Sequence, residues 1–378
     1  MKLSRTKTVI YSLIPVTVVF AALEGSARIW EHWHPPFPAD YGWGFDAESR
    51  LYIPSDDYPG WMITNPSKRI SFCQEEFQMP KPPDVFRVFV VGGSTILNAE
   101  NQLWYMSIKL TLQLKRPCQV IDAGGGGYGT HRLVAVISEI MAYQPDVVVL
   151  STGNNEFVEV EQLELAQLKM LPLQKVLYKS AFCRTIRDRI AVFELDRRRR
   201  EKNQRLLRSI PSFRSPGDDP PFATQQKVDQ RMNDFREYLT AIVKICQAHR
   251  VPLIFGTTPS NLVWLFKDKP PETLPVEVRR AKDLYASGQY QECLAIVRDW
   301  LRRWDRGQAS DAENEIIRDV ASKNSIPIAD TEEAVIAAEP HHVPGETLFI
   351  NDCHFTEDGT KIMCDVFMNS ILNLVGNR

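Results

Sequence analysis

The chain has 378 residues, 45 Lys and Arg against 47 Asp and Glu, a formal net charge of −2 at neutral pH and 44% hydrophobic residues. This near-balance excludes the basic footprint of a nucleic-acid binder, and the composition excludes a disordered or fibrous chain. The length allows one large α/β core with material left for insertions or a small second unit. Seven cysteines, at 73, 118, 183, 246, 293, 353 and 364, are too sparse and irregular for a disulfide scaffold or a zinc site, and an odd count leaves at least one thiol free.

Residues 1–30 stand apart. Lys2, Arg5 and Lys7 precede an uncharged run from Thr8 to Leu23, after which Glu24 and Arg28 return. Sixteen helical residues reach about 24 Å, short of the ~30 Å hydrocarbon core, and continuation through Trp30 suffices if Glu24 and Arg28 snorkel. The run reads as a membrane anchor or as a cleaved signal peptide with Gly25-Ser26-Ala27 near the cut. Glu24 sits awkwardly in a cleavage region, and Trp30 and Trp33 suit a helix leaving at the interface, so the anchor is favoured. In both readings the positive flank stays in the cytoplasm, and everything after about residue 30 is expected outside it.

Residues 31–84 are rich in proline and aromatics, with Pro35-Pro36, Trp43, Tyr52, Trp61 and Pro80 to Pro83, and predict an irregular linking and packing segment. The main domain is expected over 85–378. Val85 to Val91 predicts a buried strand that stops at Gly92-Gly93, which presents Ser94 at its carboxyl end. A helix near 99–115 follows, then a strand at 118–122 running into Gly124 to Gly127, a helix near 130–143, and a strand at 147–150 ending in Thr152-Gly153-Asn154-Asn155-Glu156. A long helix is expected over 225–249, a fourth strand over 252–256 ending at Ser260-Asn261, a short fifth strand at 327–330 and a terminal helix over 357–374. Strands alternating with helices imply a mostly parallel sheet covered on both faces.

Two helical insertions interrupt this pattern, at about 157–222 and 270–308. The first holds the basic run Asp196 to Lys202, read as a solvated helix face ahead of a contact with anionic lipid or acidic glycan, and the breaker-rich loop Pro211 to Pro221. The second contains Ala281 to Leu294, whose small-residue turn between amphipathic helices resembles one tetratricopeptide unit. One such unit cannot form a solenoid. It predicts a helical hairpin packed on the core, with a protein partner as the lesser use.

The polar loops at the strand ends carry the chemistry. Alone, Gly92-Gly93-Ser94-Thr95 is also an ordinary strand-to-helix turn with Ser94 as an N-cap. Joined in order with Gly124 to Gly127, Asn155, Ser260-Asn261 and Asn351-Asp352-Cys353-His354, it forms a set that a doubly wound sheet brings to one edge. His131, His341 and His342 have no such company.

At these residues the sequence resembles the SGNH/GDSL hydrolase superfamily, and more closely its membrane-anchored bacterial members with a helical insertion, over roughly 85–160 and 250–375. Gly92-Gly93-Ser94-Thr95 resembles the nucleophile block, with Gly93 where the founding motif has Asp. Gly127 resembles the oxyanion glycine of the second block. Gly153-Asn154-Asn155-Glu156 resembles the third, with Asn155 at the side-chain donor position and Glu156 for the usual Asp. The last block normally has an aspartate three residues before the histidine, where this chain has Asn351; Asp352 lies two before His354. The expectation is Asp352 as the orienting carboxylate, with Asn351 as the fallback.

The resemblance implies a flavodoxin-like three-layer α/β/α sandwich, five parallel strands in the order 2-1-3-4-5. It implies a serine esterase acting on acetyl or short acyl esters of an extracytoplasmic glycan or lipid through an acyl-enzyme. The residues expected to act are Ser94 as nucleophile, His354 as base, Asp352 as orienter, and Gly127 and Asn155 as oxyanion donors, with Ser260 and Asn261 lining the acceptor cleft. No metal or organic cofactor is expected. The alternatives are an acyltransferase on the same site, or a non-catalytic glycan-binding or assembly protein that keeps the fold.

Overall fold

The computed structural model describes residues 5–34, 50–69, 71–159, 176–177, 179–187, 189–190, 193, 225–303, 307–345 and 347–376. The basic run at 196–202, the loop at 211–221, Pro35-Pro36 and Trp43 lie outside the described residues. The chain divides into two compact units, Met1–Pro38 with Leu163–Phe213, and Ala39–Gln162 with Arg214–Arg378.

In the first unit α1 (Arg5–Trp33) is one continuous helix of 29 residues. Its stretch Leu13–Trp33 is long and apolar enough to cross a membrane, and Leu13, Ile14, Val16, Val18, Val19 and Phe20 all stand exposed. Residues 181–187 are helical and hydrogen-bond to α1 through Glu24.

The second unit is built on β4 (Phe86–Gly92), a strand buried along its whole length. It pairs in parallel with β5 (Cys118–Gly124) on one side and β6 (Val147–Ser151) on the other, and β7 (Leu253–Gly256) and β8 (Ile328–Ala329) extend the sheet. The order β5-β4-β6-β7-β8 is the 2-1-3-4-5 arrangement that the resemblance implies. Alternate side chains face opposite ways, so β4 feeds two cores. Phe89 and Val91, with Ile121, Val148, Leu150 and Phe255, pack under α4 (Thr130–Ile140) and the helices Gln225–His249 and Asp311–Asn324. Val88 and Val90, with Val147, Val149 and Ile254, pack under α3 (Glu100–Leu114) and the terminal helix Glu357–Gly376. Helices on both faces of a parallel sheet make the three-layer α/β/α sandwich.

Residues 50–78 differ from the irregular segment expected. β1 (Tyr52–Pro54), β2 (Trp61–Thr64) and β3 (Glu76–Gln78) form an antiparallel meander. Strands of three and four residues are shorter than the window in which period-two alternation can be read. The meander joins the core through Tyr52 and Phe77, which pack edge-on with Phe89 and Tyr143. Arg87, fully buried, donates to Gln78 O and Tyr143 O at 2.8 Å each and ties the meander to β4. The helices Asp311–Asn324, opened by a Ser310/Glu313 capping box, and Thr331–Ala338 are likewise additional to the sequence reading. The second insertion is the expected pair of helices, Val276–Ala286 and Tyr290–Arg303, turning at Gly288 and enclosing an apolar cluster with Leu262, Val263 and Phe266.

At the carboxyl end of β4 an added Cβ on Gly92 would fall 2.4 Å from both Ser151 O and Ile96 Cγ1. Gly126, by contrast, has no atom closer than 3.6 Å to such a Cβ. Gly92→Ala is therefore expected to lose ~1–3 kcal/mol of stability through overpacking. Gly126→Ala should leave the urea midpoint close to that of the parent protein; equal losses from both would refute the close packing at Gly92.

Candidate active site

β4 ends at Gly92, Gly93 is the extended residue before the turn, and Ser94 opens the short helix α2 (Ser94–Leu97). Being first in a helix, Ser94 has a backbone N–H with no intrahelical acceptor. Its Oγ lies 2.8 Å from His354 Nε2. His354 Nδ1 lies 3.0 Å from Asn351 Oδ1, which also accepts from the backbone N–H groups of Cys353 at 3.1 Å and His354 at 2.9 Å. Two amides directed at it identify that side-chain atom as the oxygen. The proton of the neutral ring then sits on Nδ1, and the Nε2 lone pair faces the serine hydroxyl.

The expectation of Asp352 at the ring is corrected by this geometry. The atom on Nδ1 belongs to Asn351; Asp352 has a carboxylate oxygen within 4.8 Å of a ring nitrogen but forms no hydrogen bond with it among the described contacts. The Asp352 charge, after burial, raises the Cys353 thiol and opposes the lowering of Lys269. Asp352, Cys353 and His354 offer three ligand-type atoms close together, but both His354 nitrogens are engaged by Ser94 and Asn351.

The loop after β5 lies level with Ser94, because Gly92 pairs with Gly124 in the parallel ladder. Gly125 N donates to Gly92 O at 2.9 Å and Gly126 N to Ser71 O at 2.7 Å, fixing the loop from two sides. Gly127 adopts φ +73°, the left-handed region that favours glycine. Its carbonyl accepts from the Arg132 guanidinium, which stacks 4.1 Å from the Tyr128 ring centroid and pairs with Glu159 at 2.6 Å, both side chains being buried. The N–H groups of Ser94 and Gly127 donate to no group among the described residues.

Asn155 Nδ2 donates to Tyr128 O at 2.9 Å, which uses one of its two N–H groups. An added Cβ on Gly93 would lie 2.3 Å from this nitrogen and 3.1 Å from Tyr128 O. Residue 93 therefore has no room for a side chain: Asn155 occupies the space. Glu156 is buried against Thr130, whose hydroxyl donates to it at 2.7 Å; burial, and then the neighbouring Glu159, push its carboxyl up to about 8.

Ser260 and Asn261 were expected to line an acceptor cleft, and the structure places them otherwise. Both are buried: Ser260 Oγ donates to Ala309 O at 2.6 Å, and Asn261 Nδ2 donates to Asn351 O at 3.0 Å. Asn261 also donates its backbone N–H to Asp352 O at 2.8 Å. Asn261 thus braces the loop that carries His354, and Ser260 ties to the loop at Ala309. The sequence reading did not single out Arg132, Glu159 or the Asn154 side chain, which bridges Thr95 Oγ1 at 3.3 Å and Ala309 N at 2.8 Å.

No family model matches the chain, and no curated protein matches it. Among solved structures, the acetyl xylan esterase AlAXEase is 13% identical, the alignment covering 76% of this chain and 100% of that one with a TM-score of 0.41. A GDSL-like lipase from Bacteroides thetaiotaomicron is 10% identical, covering 76% and 88%, with a TM-score of 0.38. A catalytic mutant of the acetylxylan esterase Axe2 from Geobacillus stearothermophilus is 13% identical, covering 76% and 94%, with a TM-score of 0.37.

Two outcomes are expected of variants at this site. Asn351→Ala removes the acceptor on Nδ1 and should lower kcat/KM toward any ester the protein turns over by roughly 100-fold, whereas Asp352→Ala should stay within a few-fold of the parent. A strong loss at Asp352 with none at Asn351 would reverse the assignment. Separately, a carboxyl whose folded value is raised stabilises the fold fully below its unfolded value, here 4.5, and that contribution is lost as pH rises through about 8. The urea midpoint should fall between pH 5 and 9, and Glu156→Gln should flatten that fall; an unchanged slope would count against a neutral Glu156.

Proposed function

We infer that the chain is a serine esterase of the SGNH/GDSL type, acting on ester-linked acyl groups through an acyl-enzyme on Ser94. The observation that carries this is the hydrogen-bonded series Ser94 Oγ, His354 Nε2 and Nδ1, Asn351 Oδ1, at 2.8 and 3.0 Å. A free hydroxyl is a poor nucleophile at neutral pH, and an adjacent imidazole of the right tautomer remedies that. As Ser94 Oγ bonds to the acyl carbon, its proton passes to His354 Nε2. The carbonyl π electrons move to oxygen, where the N–H groups of Ser94 and Gly127 and the second amide hydrogen of Asn155 are the donors. One such donor is typically worth ~3 kcal/mol of barrier. His354 then returns the proton to the departing alkoxide. A water that gives its proton to the same ring then bonds to the acyl carbon, the bond from that carbon to Ser94 Oγ breaks, and His354 Nε2 returns the proton to the serine.

Asn351 fixes the ring and its tautomer without a charge, so it does not stabilise the imidazolium as a carboxylate does. Replacing water by an acceptor alcohol would make the same site an acyltransferase. The positively flanked apolar helix α1 supports anchoring in a membrane with the second unit outside the cytoplasm, where acylated glycans and lipids are the substrates at hand. The helical pair at 276–303 is a surface for a protein partner in this reading.

The test is turnover of p-nitrophenyl acetate and butyrate with fluorophosphonate labelling. The parent protein should turn over both and label at Ser94. Ser94→Ala should lose the label and at least ~1,000-fold in rate, and Asn351→Asp should raise the rate. A folded protein that neither labels nor turns over these esters would instead fit a fold kept for binding.

A further inference from the structure

α1 holds two acidic residues, Glu24 and Glu31, within its apolar stretch Leu13–Trp33. A carboxylate placed in or beside hydrocarbon is costly unless its oxygens are satisfied. Both are satisfied within the first unit. Glu24 accepts from Ser180 Oγ at 2.6 Å and from the backbone N–H groups of Ala181 at 3.0 Å and Phe182 at 3.1 Å, so it caps the helical residues 181–187. Arg28, one turn along α1, pairs with it at 2.7 Å. Glu31 takes the Arg184 guanidinium through two bonds, of 2.9 and 2.6 Å. Phe182 meets Phe20 edge-on at 6.3 Å, and Ala181 is fully buried.

Away from those contacts the same segment turns apolar side chains outward. Val176, Leu177, Ile186, Ile190 and Phe193 are all exposed, Phe193 by 61%, with Lys179 and Arg189 exposed beside them. Apolar side chains interspersed with cations, on a segment clamped to an apolar span, are the composition of an interfacial membrane element.

We propose that the segment carrying residues 176–177, 179–187, 189–190 and 193 is the second member of a two-part anchor and enters the bilayer from the interface where α1 leaves the membrane. Its occupant is lipid: the exposed apolar side chains enter the headgroup and acyl boundary, and Glu24 and Glu31 hold the segment to the span. α1 is then retained in the mature protein, because a cut at Gly25-Ser26-Ala27 would remove Glu24 and leave three donors without their acceptor. The proposal rests on the anchor reading of α1.

The experiment uses the full chain in its membrane, with the photoreactive residue p-benzoylphenylalanine placed in turn at Val18, Ile186 and Ile190, and lipid adducts and the intact amino terminus read by mass. Adducts at all three positions are expected, on a chain that keeps residues 1–30. Glu24→Ala and, independently, Arg184→Ala should reduce the Ile190 adduct roughly fivefold, the ratio given by losing one cap or ion pair, while Val18 is unchanged. Adducts at Val18 alone, or an Ile190 adduct indifferent to both variants, overturn the proposal and leave the anchor standing. No adduct at Val18, or a cleaved chain, removes the anchor reading and this proposal with it.

Discussion

The carboxyl end of β4 has no room for a side chain, and the site is organised by that lack of room. Gly92 lies against Ser151 O of one neighbouring strand, while its own carbonyl takes Gly125 N from the loop after the other. Gly93 lies against Asn155 Nδ2 and Tyr128 O. Three strand ends therefore interlock through backbone and one amide, and the turn that presents Ser94 has little freedom to drift. Interiors packed this densely transmit small displacements, so the distance between Ser94 and His354 is set by the sheet as much as by either residue.

How far the site could be read from the sequence follows from how its residues signal. Ser94, Gly127 and Asn155 each follow an apolar run, where a polar or glycine residue is conspicuous, and the sheet brings those ends together, while His354 arrives on the loop before the terminal helix, which Asn261 holds in place. The orienter was harder to read. A carboxylate is the stronger partner for an imidazolium, which favoured Asp352, yet Asn351 is the residue whose side chain can fold back on the amides of Cys353 and His354. That backbone capture is a known habit of Asn in turns, and it aims Oδ1 at the ring. Ser260 and Asn261 show the converse: a polar pair after a strand has the same appearance whether it faces a cleft or, as here, is consumed within the fold, Ser260 on Ala309 O and Asn261 on the Asn351 loop. The five strands of the sheet were legible as apolar runs and their order came with the resemblance, whereas the meander at 52–78 was not legible, its strands being too short for a pattern.

The surroundings of the glycine loop are unusually rich in acids withheld from water. Asp122 Oδ1 accepts from Gly124 N at 2.7 Å, and burial drives its carboxyl well above the usual range. Glu75, which accepts from Asp122 N, is pushed up to about 7 mainly by burial. Groups of this kind are acceptors when ionised and both donors and acceptors when neutral, so they can satisfy closely spaced amides without accumulating negative charge beneath the glycine loop.

The Arg132–Glu159 pair beneath that loop belongs to another class of contact. Surface ion pairs weaken as dissolved salt thickens, since mobile ions gather round exposed charges over a distance of about 10 Å at 0.1 M. Arg132 and Glu159 have side-chain exposures of 0% and 3%, and no counter-ion can approach them without first opening the fold. The grip on the Gly127 carbonyl is therefore indifferent to brine or fresh water. A protein held in this way keeps the shape of its glycine loop across a wide range of dissolved salt.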